Sequence, residues 1–189
     1  MTNKIIATQY ISLDGVIQDP VGMENSGLGD WTGPYTRGPL GDQFKLAELR
    51  SAEAVLLGRV TYDAFAAVWP TVDDPEGFGR RMNSLPKFVP SRTLQQASWT
   101  NTTLLKGDLI EDVGTLRSTA KGDILIYGSA SIVHQLMPRG LIDEYRLMVY
   151  PVVLGRGTKL FPEKVSQKFS LLEQQPFSDG ILLLRYGNA

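Results

Sequence analysis

Three short stretches of this chain combine small residues with hydrogen-bond donors: Gly58-Arg59-Val60-Thr61, Ser91-Arg92-Thr93 and Gly128-Ser129-Ala130-Ser131. Each follows a short apolar run. Where a buried strand ends and a helix begins, unpaired backbone N–H groups and the positive end of the helix dipole point outward, and small side chains let an anion come close. Such turns suit phosphate groups. Arg59 and Arg92, with Ser91 or Thr93, add the forked donors that a further phosphate such as an adenosine 2′-phosphate requires. Each feature also has an ordinary use. Ser129 or Ser131 can simply cap a helix, and either arginine can be a solvated surface charge. The weight lies in the set, because three strand ends carry the same kind of turn.

The elements that must position these turns can be read from periodicity. Ile124 to Tyr127 is short, apolar and rich in β-branched and aromatic residues, as a strand buried on both faces should be. Ile132, Val133, Leu136 and Met137 then fall on one helical stripe, and Pro138-Arg-Gly140 ends that helix. Ala54-Val-Leu-Leu57 before Gly58, with a helix to Ala67, repeats the pattern, and Lys87-Phe-Val89 precedes the third turn. In an open α/β sheet such strand ends share one edge, where ligands bind.

Around this centre, Lys4 to Leu13 reads as a first strand ending in the turn Asp14-Gly15. Residues 18 to 41 are dense in glycine and proline and hold Trp31 and Tyr35. A loop this long in a compact domain is usually a lid or a substrate wall. A helix is expected from Asp42 to Ala52, with Phe44, Ala47 and Leu49 inward. Another spans Ile110 to Ser118, started by Asp108 or Glu111. Asp143 to Val153 gives the longest strand, and Pro151 within it implies an edge or a bulge. Leu154-Gly-Arg-Gly-Thr158 turns the chain. Phe169 to Glu173 and Ile181 to Tyr186 then pair as a hairpin around Ser178-Asp-Gly180. Early strand–helix alternation followed by hairpins predicts a single α/β domain over residues 1–189: a mixed, mainly parallel sheet flanked by helices, with an antiparallel C-terminal hairpin.

Composition narrows the chemistry. The 189 residues include no cysteine and one histidine, His134, which excludes thiolate catalysis, disulfides, Cys-based metal sites and a His-rich one. No metal is expected. His134 sits off its helix's apolar stripe and reads as a surface residue. The formal net charge of −1, with both signs interspersed, advertises neither a nucleic-acid surface nor an anionic membrane. No stretch reaches the ~20 apolar residues of a membrane span, and the N-terminus lacks an apolar leader, so a soluble, cytoplasmic protein is expected. Neither a G-x-x-x-x-G-K-[ST] loop nor a complete dinucleotide fingerprint occurs. Gly155-Arg-Gly157 lacks the third glycine and lies in a hairpin.

Five segments, in order, carry a resemblance: Ser12-Leu-Asp-Gly15, Leu57-Gly-Arg-Val-Thr-Tyr62, Pro86-Lys-Phe-Val-Pro-Ser-Arg92, Ile126-Tyr-Gly-Ser-Ala130, and Ile142-Asp-Glu-Tyr-Arg146 with Pro151-Val-Val-Leu-Gly-Arg-Gly-Thr-Lys-Leu-Phe161. Together they resemble the dihydrofolate-reductase-like family, in particular the branch containing the C-terminal reductase domain of the bifunctional riboflavin-biosynthesis deaminase/reductase. The resemblance spans essentially the whole chain. It implies NADPH as cofactor, with Arg59 at the 2′-phosphate and Thr61 at the pyrophosphate. Ser91 and Arg92 match the second adenosine-side loop, and Gly128, Ser129 and Ala130 the turn beneath pyrophosphate and nicotinamide. Where dihydrofolate reductases proper have paired glycines, this chain has Gly128-Ser129. The zinc-dependent deaminase domain has no counterpart here. The implied activity is hydride transfer to a small, pterin- or aminouracil-like heterocycle. A non-catalytic nucleotide-binding module with a regulatory or scaffold role is the alternative. The branch also implies a homodimer through the C-terminal sheet region.

Hydride transfer leaves negative charge on the acceptor, which calls for a nearby acid or an ordered water. Asp42 is expected at a helix start facing the glycine-rich loop, where, by spacing, the resemblance puts the pteridine-binding carboxylate. Burial against Trp31 and Phe44 would raise its pKa. Asp14 borders the substrate in the riboflavin branch but also fits a plain Asp-Gly turn. Asp42 is preferred to Asp14. Trp31, Tyr35 and Trp69 either wall a planar ring or fill core.

Overall fold

In the computed structural model, which describes residues 3–189, eight strands form one sheet. They are β1 (Ile5–Ser12), β2 (Ala52–Leu57), β3 (Lys87–Pro90), β4 (Thr102–Leu105), β5 (Asp123–Tyr127), β6 (Glu144–Tyr150), β7 (Phe169–Pro176) and β8 (Leu182–Asn188). Their order across the sheet is β4-β3-β2-β5-β1-β6-β8-β7. The first six strands pair in parallel, while β8 runs antiparallel to both β6 and β7. Parallel pairing brings the C-terminal ends of β1, β2 and β5 to one edge, directly beside one another.

Helices cover both faces, as a parallel sheet with buried faces demands. On one face α4 (Leu109–Thr119) and α5 (Ala130–Leu136) pack Val113, Ile132, Val133 and Leu136 against Ala7, Leu56, Ile124 and Ile126. On the other, α1 (Gly38–Ser51), α2 (Arg59–Val68) and α3 (Phe78–Ser84) pack Leu49, Tyr62 and Met82 against Ile6, Val55, Leu57 and Leu125. A third cluster, with Trp31, Met148, Tyr150 and Ile181, sits under the loop that joins β1 to α1. No helix among the described residues is long and apolar enough to cross a membrane.

Several expectations shift. The strand expected to run to Val153 stops at Tyr150, leaving Pro151 outside it. The reason is topological: β6 is an interior strand that pairs with β1 on one side and β8 on the other, so a residue without an N–H cannot continue it. Helix α1 begins at Gly38, with Pro39 in its first turn, so Asp42 lies one turn inside rather than at the start. Helix α3 and strand β4 are additions to the elements expected. The α3 start has no side-chain cap on its N-cap glycine. Instead the Asp74 carboxylate accepts hydrogen bonds from the N–H groups of Gly77, Phe78 and Gly79 at 2.7–2.8 Å. Helix α4 starts as expected, with Asp108 accepting from the N–H groups of Ile110 and Glu111.

Candidate active-site cleft

The β2–α2 and β5–α5 turns interlock. Ser129 adopts a left-handed conformation (φ 61°), uncommon for a residue with a side chain, and its Oγ turns away from its own helix. That oxygen accepts from the Gly58 N–H at 2.6 Å, donates to the Tyr127 carbonyl at 3.1 Å, and lies 3.2 Å from Thr61 Oγ1. Ser129 therefore stands at the N-cap position without capping α5. Both glycines are required by contact: a Cβ on Gly58 would meet Ser129 Oγ at 2.9 Å, and one on Gly128 (φ 54°) would meet Thr61 Oγ1 at 2.9 Å. Gln9 braces the joint from β1, donating through Nε2 to the Gly128 carbonyl at 3.0 Å.

This joint floors one end of a cleft of about 980 Å³, lined there by Gly58, Arg59, Thr61 and residues 128–131. Arg59 faces the cleft while its Nε donates to Asp63 at 2.6 Å. Ser91 and Arg92 follow β3, two strands away from β5, and do not line the cleft. Ser91 Oγ accepts from the Leu94 N–H and shapes that turn, and Arg92 is exposed. The structure thus brings Arg59, Thr61, Gly128, Ser129 and Ala130 together and leaves Ser91 and Arg92 at the outer end of the same sheet edge.

The other end of the cleft lies between α1 and the loop of residues 13–37. That loop is organised rather than loose. The Asp19 carboxylate accepts from the N–H groups of Glu24 and Ser26 and from Ser26 Oγ, and these bonds hold its pKa down against the opposing effect of burial. Helix α1 presents Asp42, Lys45 and Leu49 to the cleft, at three- and four-residue spacing. Asp42 accepts from Arg37 Nε at 2.6 Å, and Arg37 Nη1 donates to the Tyr10 hydroxyl at 2.5 Å. The Asp42 side chain is 54 % exposed, so the expected burial against Trp31 and Phe44 does not occur. Trp31 fills core instead, donating to the Gln18 carbonyl, while Tyr35 and Trp69 line the cleft.

Asp14 does not line the cleft. Its carboxylate accepts from Ser12 Oγ at 2.6 Å and from the N–H groups of Leu154 and Gly155 at 3.1 and 2.8 Å. These bonds, the Ser12 one first, lower its pKa to about 2. A carboxylate so engaged clamps the end of β1 to the turn after β6. His134 is likewise structural, with Nε2 within 3.1 Å of the Lys159 and Leu160 carbonyls.

Lys45 and Glu48 are what sequence reasoning missed. Lys45 is nearly buried, and its Nζ donates to Glu48 and to Thr8 Oγ1 (3.0 Å), between the ring faces of Tyr127 and Tyr10 at 4.9 and 5.6 Å. Glu48, fully buried, also accepts from Thr8 Oγ1 at 3.0 Å, and Arg146 Nη1 lies 3.4 Å from it. Burial first, and then the Glu48 charge, raises the pKa of the neighbouring Tyr127 hydroxyl well above its ordinary value, so it stays a phenol. Strand register carries the row outward: Thr8 pairs with Arg146, Arg146 with Arg185, and Arg185 with Glu173. Glu144 joins Lys4, Arg146 and Arg185 at 2.8–2.9 Å. Although burial opposes it, these donors bring its pKa down to about 2.

The sequence of the chain matches a known family. The RibD C-terminal domain model matches residues 3–183. The chain belongs to the RibD C-terminal domain family. A relative, the uncharacterized protein YyaP of Bacillus subtilis, is 31 % identical over 143 residues, covering 73 % of this chain and 75 % of YyaP. Among solved structures, a Shewanella sp. PV-4 protein described as a "putative riboflavin biosynthesis protein" superposes with a TM-score of 0.77 at 23 % identity, over 100 % of this chain and 99 % of that one. Dihydrofolate reductase from Enterococcus faecalis, solved with NADP(H), gives 0.63 at 15 % identity, over 100 % and 98 %. At these identities the likeness is one of fold, and it establishes the single-domain, dihydrofolate-reductase-like α/β architecture that the sequence predicts.

Proposed function

We propose that this protein is an NADPH-dependent reductase acting on a small heterocyclic substrate. The observation that carries the reading is the interlocked joint at the cleft floor. Gly58 and Gly128 let the two turns close on each other, and this sets the first turn of α2, whose N–H groups have no helical partner, at the cleft floor. The residues present fit a dinucleotide: Thr61, Ser129 and Ala130 at the pyrophosphate, Arg59 reaching toward a 2′-phosphate, and Ser91 and Arg92 beyond it. NADPH bound there supplies the hydride. The chain's own part is to hold the acceptor: Asp42, fixed by Arg37, accepts hydrogen bonds from ring N–H groups, and Tyr35 flanks the ring. With no acid buried at Asp42, the structure supports it as an orienting group first, and the proton reaches the acceptor through water or a neighbouring donor.

Titration with NADPH and NADH, followed by tryptophan fluorescence, tests the cofactor. NADPH should bind at least tenfold more tightly, and Arg59→Ala should remove about 1.5 kcal/mol of that preference, the lower range for a hydrogen bond to a charged group. Equal affinity of the wild-type protein for both nucleotides overturns the assignment.

We also propose a homodimer through the C-terminal sheet. Because β6 is interior, the argument falls on β7, an edge strand with Leu171 and Leu172 half exposed. Light scattering at micromolar concentration should give twice the mass of 20.9 kDa; a monomer refutes it.

A further inference from the structure

Among the described residues, the substrate end of the cleft has cations but none without a partner. Arg37 is engaged by Asp42 and Tyr10, and Lys45 by Glu48 and Thr8. The carboxylates that line the cleft, Asp19, Glu24, Asp30, Asp42, Asp74 and Glu76, all belong to the 13–37 loop, α1 or the α2–α3 connection. None belongs to the β2–α2 or β5–α5 turns, where Arg59 sits. Asp74 is held ionised, chiefly by the N–H of Gly79, and Asp19 by its own loop. Carboxylates thus outnumber cations along the 13–37 loop, α1 and the α2–α3 connection, while Arg59 at the other end is itself paired with Asp63. Beyond Lys45 the wall turns apolar, with Leu49, Phe65, Val68, Trp69, Val72 and Met82.

Resting on the reductase reading, we infer that the substrate is an unphosphorylated, uncharged or cationic planar heterocycle with an apolar arm. A ligand lying along α1 meets Asp42, then Lys45, then Leu49, so its polar ring rests near the first two and its arm against Phe65 and Trp69. A phosphate on that arm would find an apolar wall and no open donor. A phosphate at the ring end would have to displace Asp42 from Arg37, leaving that carboxylate unpaired beside a dianion, an arrangement that costs binding. Phosphate recognition in this cleft is thus confined to the cofactor end.

Calorimetric titration of the full chain, with and without saturating NADP⁺, tests this with one ring and three arms: 5-amino-6-ribitylaminouracil, its 5′-phosphate, and the 6-benzylamino analogue. The benzyl compound should bind most tightly, and the ribityl compound at least tenfold more tightly than its phosphate. Asp42→Asn, which unpairs Arg37, should narrow that gap. A phosphate that binds as tightly as its parent, or no binding by any of the three, overturns the inference. Should NADP⁺ itself fail to bind while the three probes keep the expected order, the cofactor reading falls and the substrate class stands.

Discussion

The two ends of the cleft are made of different material. The end proposed for the cofactor is backbone: two strand–helix turns locked together by glycines and one serine oxygen, where a Cβ at either glycine would press on a side-chain oxygen. The end proposed for the substrate is side chain: a stripe on α1 whose charged groups are held by partners from β1, β6 and the 13–37 loop. A backbone site admits few substitutions but needs few residues to define it. A side-chain site can be changed one residue at a time, and each change exposes how the others were balanced. The fold fixes the first and leaves the second free to vary, which is where a difference in substrate within one family would arise.

The largest effect should come from the buried pair on the substrate side. Glu48→Ala leaves the nearly buried Lys45 ammonium without its carboxylate, while Arg146 keeps Glu144. Removal of one partner of such a pair costs about 3–5 kcal/mol. Urea denaturation of the variant should show this loss. Lys45→Met combined with Glu48→Leu should recover part of it, since an apolar pair of similar volume is often tolerated. A loss below about 1 kcal/mol would mean that the pair behaves as an exposed one, and the contrast between the two ends would lose its energetic basis.

The next effect is on turnover. Asp42→Asn keeps the shape of the side chain but replaces an acceptor oxygen with a donor and frees Arg37. With a substrate of the class inferred above, kcat should fall by about 10²-fold, the low end for acid–base and orienting groups, because Asp42 is more than half exposed. NADPH affinity should not change, since Asp42 lies at the other end of the cleft. A parallel loss of NADPH affinity would show that the two ends are not separable.

How much of this could be read from the chain follows the same division. Strand–glycine–helix is a local pattern, so Gly58 to Thr61 and Gly128 to Ala130 were visible as turns and fall together in the structure. What local pattern did not show is that Ser129 Oγ serves Gly58 across 71 residues rather than its own helix. Ser91 and Arg92 belong to the same kind of motif, yet β3 stands one strand farther out, and only strand order reveals that. Lys45 and Glu48 went unread because an i,i+3 charge pair on a helix is ordinarily a solvated one. Their burial depends on Thr8 and Arg146, which register brings beneath them. Asp14 and Asp42 are both acidic residues near turns, and sequence could not tell a clamp from a cleft residue. Helix α3 was missed because its start is capped by Asp74 from outside the helix, with a glycine at the N-cap itself.

The joint itself gives the smallest effect on stability and the sharpest test of its construction. Gly128→Ala places a Cβ against Thr61 Oγ1 and asks alanine to hold φ 54°. The left-handed conformation alone costs a residue with a Cβ of the order of 1 kcal/mol, and the contact adds to it, for a total of about 1–3 kcal/mol. Because the strain falls on the turn that would carry the pyrophosphate, NADPH affinity should fall further than global stability does. Thr61→Ala in the same chain removes the oxygen that the new Cβ meets. It should return the contact part of the stability loss, leave the backbone part, and not restore nucleotide affinity, since Thr61 is itself placed at the pyrophosphate. Ser129→Ala separates the remaining element: it leaves the Gly58 N–H without its 2.6 Å acceptor and takes one hydroxyl from the joint, while the backbone of both turns stays as it is. If Gly128→Ala binds NADPH as the wild type does, the cradle is not where the nucleotide sits, and the backbone end of the cleft loses its assigned role.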